Sequence, residues 1–430
     1  MKPLSLTAAL AMTLLAATAD AQSRGNQDES KVPPYTLPDP LTCQDGSKVT
    51  TVEQWKKKRR PELLKMFAEL EYGKTPGGAF PRMKFTTKNV KEDAVGGKAV
   101  RKEVVVNFTG KEGDPTMTIL VYTPKSKPKA PCFLGLNFNG NHAVEDDPTI
   151  TLNTNWMRPG KKDDETVKDN RATEASRGKE SSRFPVKLII DRGYALATIY
   201  YGDIDPDFDD GFKNGVQPLF YKSGQTKPAP DEWGSIGAWA WGLSRALDYL
   251  ETDPSIDAKH VAVVGHSRLG KTSLWAGAQD ERFALVISND SGACGAALSK
   301  RDFGETWKNI NDSFPHWLCD NALQFNGKEA ELPFDQHELI ALMAPRPVYV
   351  ASATKDLWAD PHGEYLAAFH ASPVYRLFGL TGIGTDSEEQ PPADSPVQKG
   401  SIGYHLRTGE HDINAYDWEQ YINFADKHFK

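Results

Sequence analysis

Short apolar runs, separated by helical or loop stretches, dominate the middle and the end of this 430-residue sequence. Such runs are typical of parallel strands that other layers cover on both faces. Between two of them, Ile236–Leu250 (IGAWAWGLSRALDYL) has the amphipathic pattern and the length of a crossover helix. The runs are Cys132–Phe138, Tyr194–Tyr200, Val261–Val264, Leu285–Ser288 and Val348–Ala351. They predict an α/β fold, a doubly wound three-layer sandwich around a mostly parallel central sheet.

The remaining segments predict how this sheet is extended. Val104–Phe108 and Met117–Tyr122 predict an opening antiparallel hairpin, and Ile402–Leu406 predicts a final strand. Two polar stretches, Lys161–Arg183 and Gly379–Lys399, predict long loops. In an open α/β sheet, loops beyond the carboxyl ends of the strands form the rim of the active site.

The N-terminus has the pattern of a cleavable secretory signal, with Lys2, an apolar run and the small-residue motif Ala19-Asp20-Ala21. We expect residues 1–21 to be a signal peptide, residues 22–50 a polar leader segment, and residues 51–430 a single catalytic domain. The protein is therefore expected to be exported, to the periplasm or beyond the cell. No other stretch approaches the roughly 20 apolar residues of a spanning helix, so no membrane association is expected.

Charge and cysteine usage argue against several classes of function. The net charge of -7 gives no electrostatic case for binding nucleic acid or an anionic membrane. The four cysteines have no Cys-x-x-Cys spacing and no paired histidines, so we expect no structural zinc site and no metal or other cofactor. One or two disulfides could form after export, with the pairing left open. We expect a monomer.

The stretch Val261–Trp275 (VAVVGHSRLGKTSLW) matches two unrelated catalytic patterns. Gly265–Thr272 fits the phosphate-binding loop G-x-x-x-x-G-K-[ST]. Around Ser267 the same residues fit a nucleophile elbow, close to G-x-S-x-G but with the last glycine one place late. A phosphate loop usually follows an early strand of its domain, whereas this one follows a late strand. The elbow requires the chain order serine, acid, histidine, and that order is present, so a serine hydrolase is favoured.

Three kinds of residue would complete the serine hydrolase. Ser267 is predicted to be the nucleophile and His411, in a glycine-containing loop after the final strand, its general base. The acid is left open, because Asp356 holds the position that most hydrolases of this fold use and Asp290 ends the strand before it. Packing or surface roles are predicted for three other histidines, His142, His362 and His405.

Four segments together resemble the glucuronoyl esterases, particularly their bacterial branch. They are GHSRLGK from Gly265, SNDSGACGAALSKR (Ser288–Arg301), TKDLW (Thr354–Trp358) and GEHDI (Gly409–Ile413), and the resemblance extends from about residue 50 to the end. That family has the α/β-hydrolase fold and cleaves the ester between a 4-O-methyl-glucuronic acid branch of xylan and an alcohol of lignin. The resemblance implies the same activity here, on lignin–carbohydrate esters of glucuronoxylan.

The resemblance also implies roles for four further residues. The backbone N–H and the guanidinium of Arg268 would stabilise the oxyanion. Lys271 would donate hydrogen bonds to sugar hydroxyls, and Glu305 would accept them. Trp358 would offer its broad apolar face to a pyranose ring. Core packing is predicted for two other tryptophans, Trp307 and Trp317.

The sequence departs from the fungal branch of that family at three positions. His266 takes the place of a cysteine before the nucleophile and Asp412 follows the base, so the fungal disulfide between these positions is absent. Asp290 replaces a longer glutamate. Three alternatives remain: another carbohydrate esterase such as an acetyl xylan or feruloyl esterase, a carbohydrate-binding protein that has lost catalysis, and a phosphate-loop NTPase.

Overall fold

The structure is a computed structural model that describes residues 25–78, 80, 82–160 and 164–429. The expected signal peptide, residues 1–21, lies outside these residues. In the described part of the chain, nine strands form one sheet: β1 (Lys84–Ala94), β2 (Ala99–Asn107), β3 (Thr116–Pro124), β4 (Ala130–Asn137), β5 (Ala195–Tyr200), β6 (Ile256–His266), β7 (Leu285–Asn289), β8 (Val348–Ala353) and β9 (Ile402–Arg407).

The sheet is antiparallel at one edge and parallel elsewhere. Its strand order is β1-β2-β3-β5-β4-β6-β7-β8-β9, with antiparallel pairing from β1 to β5 and parallel pairing from β5 to β9. The predicted hairpin is present as β2 and β3, and the predicted final strand is present as β9. Strand β1 was not predicted, because KFTTKNVKEDA is an exposed edge strand that buries only Ala94.

Helices cover both faces of this sheet, which confirms the predicted three-layer α/β sandwich. Along β6, Val261 and Val263 pack into one apolar core while Ala262 and Val264 pack into the other, as strand alternation requires. The helices are α1 (Arg60–Leu70), α2 (Val186–Asp191), α3 (Ser235–Leu250), α4 (Arg268–Gln279), α5 (Trp307–Ser313), α6 (Gln336–Ala341), α7 (Pro361–His370), α8 (Ser372–Leu377) and α9 (Ala415–His428). Val52–Gln54 and a π-helical stretch, Trp55–Arg59, lead directly into α1.

Residues 25–50 lie against this body through polar and apolar contacts. Glu29 pairs with Arg301 at 2.7 Å, and the carbonyl of Pro38 accepts a hydrogen bond from His337 Nε2 at 2.9 Å. Farther along, the side chain of Cys43 is buried in the core. Among the helices of the described residues, none is both long and apolar enough to cross a membrane.

The topology brings the predicted site residues to one edge of the sheet. Strands β6, β7, β8 and β9 run parallel and end at His266, Asn289, Ala353 and Arg407. The residues that follow these ends therefore gather at the carboxyl edge, where open α/β sheets place their sites.

Candidate active site

Ser267 stands alone between a strand and a helix. Strand β6 ends at His266 and α4 begins at Arg268, so the chain reverses within one residue. Ser267 has φ 58° and ψ -130°, a left-handed conformation that costs a non-glycine residue about 1–3 kcal/mol. Such strain is typical of a nucleophile elbow, which lifts the hydroxyl above the end of the sheet.

The two glycines around Ser267 allow this sharp turn. A Cβ on Gly265 would lie 1.8 Å from the carbonyl oxygen of Leu269, so only glycine fits where α4 folds back over β6. A Cβ on Gly270 would lie 3.0 Å from the Cβ of Ser291, which shows how closely α4 packs on the segment after β7. The late glycine of the motif thus serves helix packing.

The predicted base and one predicted acid form a direct hydrogen bond. His411 Nδ1 lies 2.5 Å from Asp356 Oδ2, and the carboxylate is buried while the imidazole is 43% exposed. His266 lies beside them, with its ring centroid 4.5 Å from that of His411. This arrangement fixes the His411 ring and leaves its Nε2 free of Asp356, as a general base requires.

Asp290 approaches the same pair but bonds elsewhere. Its Oδ2 accepts from the backbone N–H of Asp412 at 3.3 Å and lies 3.7 Å from Arg407 Nη2. Its Oδ1 is buried without a hydrogen-bond partner among the residues described. Burial, together with the negative charges of Glu364 and Asp356, raises the pKa of Asp290 well above its ordinary value. A carboxylate oxygen of Asp290, a carboxylate oxygen of Asp356 and a ring nitrogen of His411 all lie within 4.8 Å of one another.

Arg268 extends from the start of α4 into a buried polar and aromatic cluster. Its Nη1 donates to the carboxylate of Asp207. Its guanidinium carbon lies 4.6 Å from the ring centroid of Trp317 and 5.2 Å from that of Phe314. The backbone N–H of Arg268 opens the helix and so has no partner within it. Both groups that an oxyanion would need therefore occur in one residue beside Ser267.

Lys271 and Glu305 form a partly buried ion pair. Lys271 Nζ lies 3.0 Å from Glu305 Oε2 and also donates to the carbonyls of Ser291, at 2.7 Å, and Ala293. The three N–H groups of the ammonium thus all have protein partners. Because a phosphate-binding loop needs this lysine free, the side chain does not fit that interpretation.

Trp358 lies next to this ion pair. The backbone N–H of Glu305 donates to the carbonyl of Trp358 at 2.8 Å. The side chain is 37% exposed, unlike Trp307 and Trp317, which are buried. Within the described chain, Glu305 Oε1 receives no hydrogen bond. Glu305 and Trp358 thus present a free carboxylate oxygen and an exposed aromatic surface near each other.

Comparison with known proteins assigns this chain to a family. A family model described as glucuronyl esterase, fungi, matches residues 190–379. A carbohydrate esterase from an unknown prokaryotic organism is 54% identical over 410 residues, which cover 95% of this chain and 93% of that protein. The chain belongs to the glucuronoyl esterase family. This is carbohydrate esterase family 15, a family of carboxylic ester hydrolases with the α/β-hydrolase fold.

Solved structures agree with the family assignment. The glucuronoyl esterase from Solibacter usitatus is 49% identical, covers 93% of this chain and 100% of its own, and superposes with a TM-score of 0.87. A promiscuous esterase of family 15 from a marine bacterial metagenome is 52% identical, covers 94% of this chain and 100% of its own, and has a TM-score of 0.86. By sequence alone, a 4-O-methyl-glucuronoyl methylesterase from Phanerochaete carnosa is 26% identical over 406 residues, which cover 90% of this chain and 86% of that protein.

The two residues at the positions of the fungal disulfide, His266 and Asp412, make other contacts in this protein. His266 Nδ1 lies 2.6 Å from Asn289 Oδ1, and Asp412 accepts from Arg183 Nε at 2.7 Å. Burial, with the nearby charges of His411 and Arg183, holds the pKa of His266 well below its ordinary value. All four cysteines are buried free thiols, so the disulfides considered from the sequence are absent.

Several residues of the site were not predicted from the sequence. Asp207, Phe314 and His316 were not considered, and Trp317 was predicted only to pack, although it lies against Arg268 and donates to Asp207 at 2.8 Å. Asp207 lies in YGDIDPDFDD, where five aspartates follow Tyr201 within ten residues. Nothing in that pattern distinguishes the one that contacts Arg268.

Proposed function

We propose that this protein hydrolyses the ester between (4-O-methyl-)glucuronic acid on xylan and the alcohols of lignin. The observation that carries the proposal is the hydrogen-bonded pair His411–Asp356 at the sheet edge that also holds Ser267 on a strained elbow. Relatives named glucuronoyl esterase and 4-O-methyl-glucuronoyl methylesterase support the choice of ester.

The chemistry would follow two acyl-transfer steps. Ser267 Oγ attacks the uronate carbonyl while His411 takes its proton and Asp356 stabilises the imidazolium. The tetrahedral oxyanion accepts hydrogen bonds from the backbone N–H and the guanidinium of Arg268. Collapse breaks the ester bond, and His411 returns the proton to the departing alcohol. A water molecule, deprotonated by His411, then releases the uronate and restores the serine.

Sugar recognition would come from the ion pair and the exposed tryptophan. The free carboxylate oxygen of Glu305 accepts hydrogen bonds from sugar hydroxyls, and Trp358 packs on the pyranose face. Lys271 orients Glu305. Because its ammonium already has three protein partners, it can donate a hydrogen bond to the sugar only by weakening one of these bonds. Its contribution is thus partly indirect.

The test is a comparison of ester substrates. We expect kcat/KM for benzyl glucuronate to exceed that for acetylated xylan and for feruloyl esters by at least about 10-fold. Arg268→Ala should lower kcat on benzyl glucuronate by about 10²–10³-fold, because the arginine acts on charge that develops in the transition state. A preference for acetylated xylan would support the other carbohydrate esterases instead. Binding of glucuronate without any turnover would support a protein that has lost catalysis.

We further propose that the chain is exported after cleavage of residues 1–21 and that residues 51–430 act as one monomeric catalytic domain. The composition of the N-terminus supports export. N-terminal sequencing of the protein recovered outside the cytoplasm should begin at Gln22, and light scattering should give the mass of one chain. A protein that retains Met1, or a dimer mass, would contradict the respective point.

A further inference from the structure

Asp207 is a buried carboxylate at the centre of a cluster of donors. It lies in the loop after β5, its side chain is fully buried, and it contacts residues from four separate segments. Tyr201 Oη donates to it at 2.9 Å and Trp317 Nε1 at 2.8 Å. The remaining contacts are His316 Nε2 at 2.9 Å, Arg158 Nη2 at 3.1 Å and Arg268 Nη1. Of the residues given a role in the proposed mechanism, Arg268 is the one that contacts this carboxylate directly.

The aromatic rings around Arg268 complete the constraint. Phe314 and Trp317 stack with centroids 3.8 Å apart and planes within 3°. The guanidinium carbon of Arg268 lies beside this stacked pair, 5.2 Å from the Phe314 centroid and 4.6 Å from the Trp317 centroid, and the ring of Phe138 is 5.7 Å away. A carboxylate at one end and flat rings along one side restrict both the position and the tilt of a planar guanidinium.

Two arginines share the one carboxylate. Arg158 is 44% exposed and Arg268 20% exposed, and both contact Asp207 Oδ2. If Arg268 alone were paired with Asp207, the carboxylate would neutralise it. With Arg158 present, two guanidinium charges face one carboxylate charge, and the cluster stays cationic. Within the residues described, the side chain of Arg268 donates only through Nη1. Its Nε is buried without a partner, so Nη2 is the donor left for an oxyanion.

We propose that Asp207 is the positioning residue that holds Arg268 in the orientation in which it meets the oxyanion, with Arg158 keeping the cluster cationic. This inference rests on the role given to Arg268 under the proposed function. In this proposal Asp207, a buried acid in the loop after β5, affects catalysis only through Arg268.

The charge of Asp207 persists over the working pH range. Burial acts to raise its pKa, but the hydrogen bond from His316 and the charges of Arg268 and Arg158 outweigh burial and hold the pKa well below the ordinary value. A carboxylate that stays ionised holds the arginine equally at neutral and at mildly acidic pH. The positioning contact therefore adds no ionisation of its own to the pH profile.

The experiment is a double-mutant cycle between Asp207→Asn and Arg268→Ala. The asparagine oxygen can still accept from Trp317 and His316, but its amide offers N–H groups to the arginines, so the positioning contact is lost while the shape is kept. We expect Asp207→Asn to lower kcat on benzyl glucuronate about 10–10²-fold with KM changed less than about 3-fold. In the Arg268→Ala background the same substitution should change kcat less than about 3-fold. Effects that multiply would overturn the proposal.

The matched control is Asp205→Asn, the same substitution two residues away. Asp205 is also buried, and its carboxylate accepts from Ser235 Oγ. Among the residues described, no arginine contacts it, so kcat should stay within about 2-fold of wild type. Each rate is divided by the concentration of active serine, titrated with a phosphonate ester, so that loss of folded protein does not count as loss of catalysis. If Asp205→Asn lowers kcat as much as Asp207→Asn, the effect is general to this loop and the proposal fails.

A second variant covers the case in which Asp207→Asn does not fold. Phe314→Leu removes one of the two stacked rings beside Arg268 and leaves the buried carboxylate in place. We expect it to lower kcat about 3–10-fold in the wild type and not in Arg268→Ala, and a loss that persists in Arg268→Ala contradicts the positioning scheme. If instead Arg268→Ala itself has wild-type kcat, the oxyanion role fails, and the positioning proposal falls with it. A large loss in Arg268→Ala with wild-type kcat in Asp207→Asn removes the positioning proposal alone.

Discussion

Replacing Asp356 by asparagine tests how His411 is supported. The structure gives His411 one hydrogen-bonded acid, Asp356 at 2.5 Å, and places Asp290 within 4.8 Å without a bond to the imidazole. Loss of the acid from a serine triad lowers kcat by about 10⁴-fold, which corresponds to about 5.5 kcal/mol. That is the loss expected if no second carboxylate could act.

Asp290 should recover part of that loss. At a separation of no more than 4.8 Å and an effective dielectric constant of about 20, Asp290, where it is ionised, stabilises the imidazolium by at least about 3 kcal/mol. About 2–3 kcal/mol then remains uncompensated, so we expect Asp356→Asn to lower kcat about 10²-fold. Asp290→Asn alone should cost less than about 5-fold, and the double variant should approach the full 10⁴-fold loss.

The pH profile adds an independent check. The pKa of Asp290 is raised by burial first, and then by the charges of Glu364 and Asp356. Asp356→Asn removes one of those charges, yet burial keeps the pKa elevated, so Asp290 ionises as the pH rises. Residual kcat on benzyl glucuronate should therefore rise more steeply with pH in Asp356→Asn than in the wild type. If Asp290→Asn alone loses 10⁴-fold while Asp356→Asn is silent, the hydrogen bond seen here does not identify the acid.

Three further outcomes are expected. Ser267→Ala should lower kcat by about 10⁴-fold or more with the melting temperature maintained, and near-wild-type turnover would refute the serine mechanism. Glu305→Gln and Trp358→Ala should lower kcat/KM on benzyl glucuronate about 10-fold and leave p-nitrophenyl acetate hydrolysis within about 2-fold, whereas equal losses on both esters would indicate a structural role. Burial raises the pKa of Asp205 from 3.8 to about 7, so the folded state retains a proton that the unfolded state releases, and stability falls as pH rises from about 4 to about 7 by at most about 4 kcal/mol. Asp205→Asn should lack this fall, so its melting temperature minus that of the wild type should rise over that pH range. A difference that does not rise would contradict the assignment.

The fold and the order of the site residues could be predicted because they depend on local patterns. Apolar runs that alternate between two cores, as in Val261–Val264, identify buried parallel strands. The spacing of Gly265, Ser267 and Gly270 reflects a backbone constraint that only certain residues satisfy. The edge strand β1 was missed for the opposite reason, since an exposed polar strand has no such pattern.

The contacts that connect distant segments could not be predicted. Asp207 meets Arg158, Arg268 and Trp317 only because four segments converge over the end of the sheet. The choice between Asp290 and Asp356 likewise depends on a distance, since both follow parallel strands at one edge. Lys271 was predicted to face the sugar, and the sequence held no sign that two backbone carbonyls and Glu305 would occupy its donors.

The four buried thiols have a practical consequence for how this protein can be handled. Burial raises the pKa of Cys294 well above its ordinary value and that of Cys319 to about 12, so neither is a thiolate at neutral pH, and thiols of this kind react slowly with alkylating agents and oxidants. No covalent crosslink supports the native state in the described chain, which includes every cysteine. The protein can therefore be produced in a reducing cytosol, and dithiothreitol added during purification should leave its activity unchanged.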